Sequence, residues 1–173
     1  FKVIKQILFF PDLPESFDGT TITHISDIHS GSFDDAEKIQ YAVDLINQQK
    51  SDVILFTGDI VNTHATEMHQ WTEMFKGIYN PKFGKYSVLG NHDYGEYIDW
   101  PTQKAKDENF EAIKDLHQQI DFKLLLNEHV KINSGSDEIA IVGVENWGHN
   151  FKKVGDLNKA SDGLSVNDFK ILM

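Results

Sequence analysis

The sequence contains no cysteine, only four prolines and no long apolar run. Without cysteine, disulfides, thiolate nucleophiles and cysteine-ligated zinc are excluded, so a metal ion would have to be bound by Asp, Asn or His side chains. No stretch approaches the roughly 20 apolar residues that cross a bilayer as a helix. Lys and Arg are also scarce, with 16 residues against 27 Asp and Glu and a net charge of −11. Because nucleic-acid phosphates are bound by clustered cations, we expect no nucleic-acid-binding patch.

The composition is that of a soluble globular protein, with 40% hydrophobic and 25% charged residues in a chain of 173. This length suits one domain with a buried core, so we expect residues 1–173 to form a single domain. The chain begins on Phe1, and residues 168–173 are typical of a strand with no loop after it. We therefore expect the domain to be incomplete and to come from a longer protein.

Hydrophobic periodicity predicts alternating strands and helices. A continuous apolar run at 52–57 is typical of a strand buried on both faces of a parallel sheet. The other predicted strands are 2–10, 20–26, 85–89, 122–126, 128–133 and 138–144, and the predicted helices begin at Asp34 or Asp35 and lie around 68–78 and 110–120. Because strand–helix–strand crossovers place helices against a mostly parallel sheet, the fold class is α/β.

Three polar clusters follow three successive predicted strands, namely Asp27 with His29, Asp59 with Asn62, and Asn91 with His92 and Asp93. Asp27, Asp59 and Asn91 follow one another at intervals of 32 residues. Each interval is close to one βαβ unit of roughly 30 residues, and the carboxyl ends of parallel strands meet at one sheet edge. We therefore expect the three clusters to lie together.

Carboxylates gathered at one edge repel each other unless a cation lies between them, so the clusters predict a divalent metal site. Asp27 and His29, two residues apart on extended backbone, point to the same side and can hold one ion together. Gly58 and Gly90 allow the strand-to-loop turns and a close approach of the backbone to an ion or phosphate. Asn62 either supports the site or only ties its loop by side-chain hydrogen bonds; the sequence leaves both open.

In this order and spacing, Asp27-x-His29, Gly58-Asp59-x-x-Asn62 and Gly90-Asn91-His92-Asp93 resemble the first three motifs of the calcineurin-like metallophosphoesterases. The motifs cover about residues 20–95. The resemblance implies a β-sandwich flanked by helices, truncated here at the carboxyl end. It also implies metal-dependent hydrolysis of phosphate mono- or diesters at a dinuclear site holding Mn, Fe, Zn or Mg.

Carried over to this sequence, the resemblance implies that Asp27 and His29 hold one metal, Asp59 bridges two and Asn91 holds the second. His92 would contact the phosphate or protonate the leaving group, with Asp93 orienting it. The lead-in at 13–19 is similar to a bacterial branch that often follows a membrane anchor. This implies a membrane-associated parent protein in a bacterium, with a small-molecule or lipid-linked phosphoester as substrate.

The sequence departs from the family pattern after residue 95. A later histidine motif and a Gly-His-x-His motif are absent, and Trp147-Gly148-His149-Asn150, in a late loop expected at the rim of the cleft, lacks the second histidine. We therefore expect at most one well-bound metal here, little or no activity, and self-association through uncovered sheet surface. The alternative is a non-catalytic metal- or phosphate-binding module on the same fold.

Overall fold

The computed structural model describes residues 1–148 and 152–173, in which two sheets lie face to face. The first sheet is parallel, in the order β1 (Ile22–Ile25), β2 (Val53–Phe56), β3 (Lys85–Ser87) and β4 (Lys123–Leu124). In the second, the hairpin β5 (Glu128–Ser134) and β6 (Asp137–Gly143) is antiparallel, and β7 (Lys170–Leu172) pairs parallel to β6. The predicted α/β class is confirmed.

Four α-helices complete the described structure: α1 (Ala36–Gln49), α2 (Thr72–Lys76), α3 (Gln103–Gln119) and α4 (Leu157–Ala160). Asp35 caps α1, because its carboxylate accepts hydrogen bonds from the backbone N–H groups of Glu37 and Lys38. The predicted helix around 68–78 is divided into a 3-10 turn, Ala65–Met68, and the short helix α2. The capping prediction is thus confirmed, and the second helix is shorter than its pattern indicated.

Strand β2 is the centre of the packing because both of its faces are buried. Ile54 and Phe56 belong to the core between the first sheet and helices α1 to α3. Val53 and Leu55 point the other way, into the core shared with Ile132, Ile139 and Ile141 of the second sheet. Successive side chains of a strand alternate between its faces, so this one strand joins two cores. The order of layers is helices α1 to α3, parallel sheet, mixed sheet, and α4 packs against the outer face of the mixed sheet.

The strand predicted at 2–10 is wrong. Residues 1–10 have no regular secondary structure and are exposed, with Phe9 88% accessible, although the Phe10 ring contacts that of Phe169 at 5.5 Å between centroids. Apolar, β-branched composition produces a strand only where a neighbouring strand pairs with its backbone, and no such pairing forms here. Within residues 1–148 and 152–173, no helix has both the length and the apolar character needed to cross a membrane.

The core on the helix side contains a buried histidine. His117 of α3 is fully buried, and its ring stacks on Phe56 with 5.5 Å between centroids. Neither ring nitrogen has a hydrogen-bond partner among the described residues. Burial lowers the pKa of His117 to about 3, because the charged imidazolium loses its hydration there. His117 is therefore a neutral core residue with unpaired polar atoms.

We expect His117→Leu to raise the free energy of unfolding by about 1–3 kcal/mol at pH 7, since it removes an unsatisfied buried polar group. The unfolded histidine, with a pKa near 6.5, binds a proton that the folded one does not bind until about pH 3. Protonation of this histidine therefore leaves the free energy of unfolding of the wild type unchanged above pH 6.5 and lowers it as the pH falls from 6.5 toward 3. The advantage of the variant should grow by about 2–3 kcal/mol between pH 6 and pH 4.

Urea unfolding of both proteins at several pH values measures this difference. The pKa of buried Asp93 is shifted in the opposite direction, and this group also changes the free energy of unfolding in the same pH range. Because Asp93 is present in both proteins, its contribution cancels in the difference between the variant and the wild type. His69→Leu, which removes an exposed histidine, is the matched control for the loss of an imidazole that is not buried. A difference between His117→Leu and the wild type that does not vary with pH would contradict the prediction.

Candidate metal centre

The three predicted polar clusters lie together where β1, β2 and β3 end. Backbone hydrogen bonds join their loops, from Asp27 N–H to the Gly58 carbonyl at 3.1 Å and from His29 N–H to the Asp59 carbonyl at 3.0 Å. The third loop is joined by a bond of 2.8 Å from His92 N–H to Asp59 Oδ1. Asp59 therefore connects both neighbouring loops, which brings sequence-distant polar side chains to one edge of the parallel sheet.

The side chains at this edge include a group with metal-binding geometry. His29, Asp59 and His92 each offer one ligand atom, and these atoms lie within 4.8 Å of one another. His29 Nε2 is 3.7 Å from Asp59 Oδ2 and 3.8 Å from Asp27 Oδ1. The Asp59 side chain is only 10% exposed, whereas that of Asp27 is 64% exposed. Asp59 thus lies beside the predicted pair of Asp27 and His29. His92, which was not among the predicted metal ligands, lies close to them as well.

The backbone of this edge is strained. Asp27, His29 and Asp59 have φ angles of 53°, 47° and 57°, in the left-handed region that side chains other than glycine rarely adopt. Such conformations cost of order 1–3 kcal/mol each and are found mainly where a binding site requires them. The strain falls on the backbone of His29 and of the two aspartates whose carboxylates lie beside its imidazole. This concentration favours a binding role over an ordinary turn.

The two glycines let the second and third loops touch. Gly58 has a φ of 91°, and a Cβ placed on it would lie 2.0 Å from the backbone nitrogen of Gly90. A Cβ on Gly90 would lie 2.2 Å from Asp59 Oδ1. Each position therefore has space only for hydrogen. The close approach predicted for these glycines occurs between the two loops themselves.

Asp93 is a buried carboxyl group that ties these loops. Its oxygens accept hydrogen bonds from the backbone N–H groups of Asp59, Ile60 and Gly90 at 2.9 to 3.0 Å. Burial raises the pKa of Asp93 to about 7, with the nearby Asp59 charge adding to it and the three N–H bonds opposing it. These hydrogen bonds hold the backbone that presents Asp59, and the orienting role toward His92 that the resemblance implied stays a prediction.

The His92 ring is held by Asn62. Nδ1 of His92 lies 2.8 Å from the Asn62 carbonyl oxygen, which can only accept a hydrogen bond, so Nδ1 carries the hydrogen. Nε2 is then the nitrogen available to an ion or a substrate. The Asn62 side chain donates to Ser32 Oγ at 3.0 Å. Asn62 thus ties its own loop and fixes His92 through its main chain.

A cleft of about 690 Å³ opens beside this edge. Asp27, Asp59 and Asn91 line one part of it, and the remaining wall is largely apolar, contributed by Val88, Leu89, Val144, Trp147, Leu157, Leu172 and Met173. Trp147 is therefore at the cleft, as predicted, whereas the predicted rim residue His149 lies outside the described residues. The Asn91 amide nitrogen donates to the hydroxyl of Tyr97.

Comparison with known proteins agrees with this geometry. The sequence model of the family described as calcineurin-like phosphoesterase matches residues 20–166, which is most of the chain. The chain belongs to the calcineurin-like phosphoesterase family. The resemblance carried by the three motifs is thus confirmed, and members of this family use divalent metals.

Three curated relatives are matched over parts of their length. The chain is 37% identical over 86 residues to the uncharacterized metallophosphoesterase YkuE of Bacillus subtilis, covering 49% of this chain and 30% of the relative. It is 26% identical over 174 residues to a transmembrane protein with metallophosphoesterase domain of Danio rerio, covering 99% and 38%. It is 29% identical over 90 residues to UDP-2,3-diacylglucosamine pyrophosphatase of Chlamydia trachomatis, covering 50% and 27%. The chain spans well under half the length of these relatives.

Two residues that shape the site were missed in the sequence. The Glu67 carboxylate accepts hydrogen bonds from the backbone N–H groups of Asn62 at 2.6 Å and His64 at 2.9 Å, which sets the loop after β2. The spacing His64-x-x-Glu67 is that of a capping box and could have indicated it. Tyr97, which contacts both Asn91 and His92, has no such signal because its position depends on the conformation of its loop.

Proposed function

We propose that this chain binds a divalent metal ion between Asp27, His29 and Asp59, and that its protein hydrolyses phosphate mono- or diesters. The observation that carries the proposal is the position of His29 Nε2, which lies 3.7 Å from Asp59 Oδ2 and 3.8 Å from Asp27 Oδ1 at the sheet edge. Ligands and substrates of parallel sheets bind in the crevice at this edge. Asn91, which lines the same cleft, is the proposed ligand for a second ion.

The donor set suits such an ion. Imidazole and carboxylate ligands are those used for Mn, Fe and Zn, and carboxylate and amide oxygens also suit Mg. The sequence contains no arginine, so phosphate cannot be held here by the bidentate guanidinium contacts common at phosphate sites. A divalent cation would provide the missing positive charge beside Asp27 and Asp59. When bound, such a cation withdraws charge from phosphoryl oxygens and makes water more acidic.

The protein's own groups have separable tasks in this proposal. With its Nδ1 hydrogen donated to Asn62, His92 directs Nε2 to the site, where the protonated ring can give a proton to the oxygen of the leaving group. Asp93 holds the backbone of Asp59 and Gly90 in register. Gly58 and Gly90 keep the two loops in contact. Positioning of this kind supplies a large part of catalysis in phosphoryl transfer.

The apolar wall of the cleft supports a substrate with an apolar group next to its phosphoester. Val144, Trp147 and Leu157 line the same cleft as Asp27 and Asp59. One relative is named as a pyrophosphatase of UDP-2,3-diacylglucosamine, a substrate that carries two acyl groups. Relatives named as transmembrane proteins support a membrane-associated parent protein. A lipid-linked phosphoester is therefore the substrate class that we propose.

Metal binding is the first test. We expect calorimetric titration of the chain with Mn²⁺ or Zn²⁺ to show one tight site. Asp59→Asn should weaken binding at this site by at least about tenfold, since even residues that only support a metal ligand contribute that much. Asp115→Asn, on the exposed side of α3, is the matched control and should leave the affinity unchanged. A wild-type chain without measurable binding would overturn the proposal, and two tight sites would contradict the expectation of one.

Hydrolysis is measured with p-nitrophenyl and bis(p-nitrophenyl) phosphate on the product of the complete gene, with and without a chelator. Turnover that depends on the added metal is the expected result. Tight metal binding without turnover of either ester would instead support the alternative, a non-catalytic metal- or phosphate-binding module.

A further inference from the structure

Tyr97 contacts two residues of the proposed site although it belongs to none of the three motifs. Its ring stacks on that of His92, with 4.3 Å between centroids and 18° between planes. Its hydroxyl accepts a hydrogen bond from the Asn91 side-chain amide. One side chain thus touches both the proposed second-metal ligand and the proposed proton donor, through two different parts of its structure.

The loop that carries Tyr97 is held by contacts that do not involve Tyr97 itself. The carbonyl of Gly95 accepts a hydrogen bond of 2.7 Å from the indole N–H of Trp100. Glu96 forms an ion pair of 2.8 Å with Lys106 of α3. These contacts fix the backbone before and after Tyr97. Its phenol ring can therefore act as a stable support for groups packed against it.

The hydrogen bond to Tyr97 holds the Asn91 side chain in place. Its amide nitrogen Nδ2 donates to the tyrosine hydroxyl. The oxygen Oδ1, on the other branch of the amide, is the atom that binds metal ions. With one branch of the amide held by Tyr97, the side chain loses rotational freedom that it would otherwise have to lose when it binds an ion.

The stacking contact determines the plane of the His92 ring. The Nδ1 bond to Asn62 holds one atom of that ring but allows it to tilt about the bond. Tyr97 packs against one face, and the ring of His29 makes an edge contact, with 4.6 Å between centroids and 90° between planes. Three contacts in different directions therefore fix the plane of the His92 ring.

We propose that Tyr97 is a positioning residue that fixes the amide of Asn91 and the ring plane of His92 for the proposed phosphoesterase reaction. This inference rests on the proposed function. Its two contacts are separable, because the hydroxyl acts on Asn91 and the ring acts on His92. Tyr97→Phe removes the hydrogen bond to Asn91 and keeps the stacked ring, and Tyr97→Leu removes both.

Each contact is tested by one readout that does not require turnover. In Tyr97→Phe, made in the product of the complete gene, we expect the affinity for the second Mn²⁺ ion, which Asn91 is proposed to bind, to fall by about tenfold, the low end of the effects of residues that support metal ligands. In Tyr97→Leu, the ring protons of His92 should lose the upfield NMR shift caused by the stacked phenol, whereas Tyr97→Phe should retain it. Tyr41→Phe and Tyr41→Leu, at an exposed tyrosine of α1, are the matched controls and should change neither quantity.

Turnover of bis(p-nitrophenyl) phosphate by the product of the complete gene completes the test. The supporting result is a fall in kcat of about tenfold or more for Tyr97→Leu, a smaller fall for Tyr97→Phe and little change in KM, since supporting residues contribute in this range. Wild-type metal affinity and turnover in both variants would overturn the role of Tyr97 while leaving the proposed function intact. Absence of metal binding and hydrolysis in the unchanged protein would overturn both.

Discussion

Replacement of Gly58 by alanine is expected to lower the free energy of unfolding by about 3 kcal/mol or more, from backbone strain and overpacking together, and to abolish metal binding. The added Cβ would meet the backbone nitrogen of Gly90 at 2.0 Å, and its Cα at 2.6 Å. No flexible side chain is available to move aside, because both atoms belong to the main chain. The loops after β2 and β3 would have to separate, and Asp59 would lose its place beside His29.

The control for this substitution is Gly163→Ala. Gly163 has a φ of 80°, similar to the 91° of Gly58, but a Cβ on it would meet nothing within 4 Å. Its alanine variant therefore reports the strain of the left-handed backbone alone, which we expect to cost about 1–2 kcal/mol. Urea unfolding of both variants, with calorimetric Mn²⁺ titration, separates the two effects. Equal losses of stability in both variants would show that the contact between the loops contributes nothing.

The site could be predicted in outline because it depends on topology. Asp27, Asp59 and Asn91 each follow a strand of the parallel sheet, and such strands end at the same edge whatever the details of the loops. The apolar run at 52–57 also identified β2, since a strand of consecutive apolar residues is covered on both faces, and Val53–Phe56 are all buried. These inferences need only the order of elements and the polarity of residues.

The contacts inside the site could not be predicted, because they depend on loop backbone conformations that the sequence pattern does not specify. The left-handed conformation of His29 and the support of His92 by Asn62 and Tyr97 are of this kind. The strand wrongly predicted at 2–10 has a related cause. Its apolar pattern is that of a strand, but pairing requires a partner that local composition does not reveal.

His92→Asn is expected to lower kcat by about 10²- to 10⁴-fold, the usual contribution of a general acid, when turnover is measured on the product of the complete gene. Asparagine is a selective replacement because its Nδ2 occupies nearly the place of Nδ1 and can still donate to the Asn62 carbonyl. The substitution therefore removes Nε2 and leaves the loop contacts in place. Unchanged turnover would remove His92 from the mechanism.

The same variant decides between two tasks for Nε2. As a proton donor, His92 contributes to kcat, and its loss should change Mn²⁺ affinity by less than about threefold, below the effect of a supporting residue. As a direct ligand, which its place in the group with His29 and Asp59 also allows, its loss should weaken binding by about tenfold or more. His64→Asn, at an exposed neighbour whose ring packs against Trp100, is the matched control and should leave both quantities unchanged. We expect the first outcome, because the buried carboxylate of Asp59 and the imidazole of His29 already provide an ion with two closely spaced ligands.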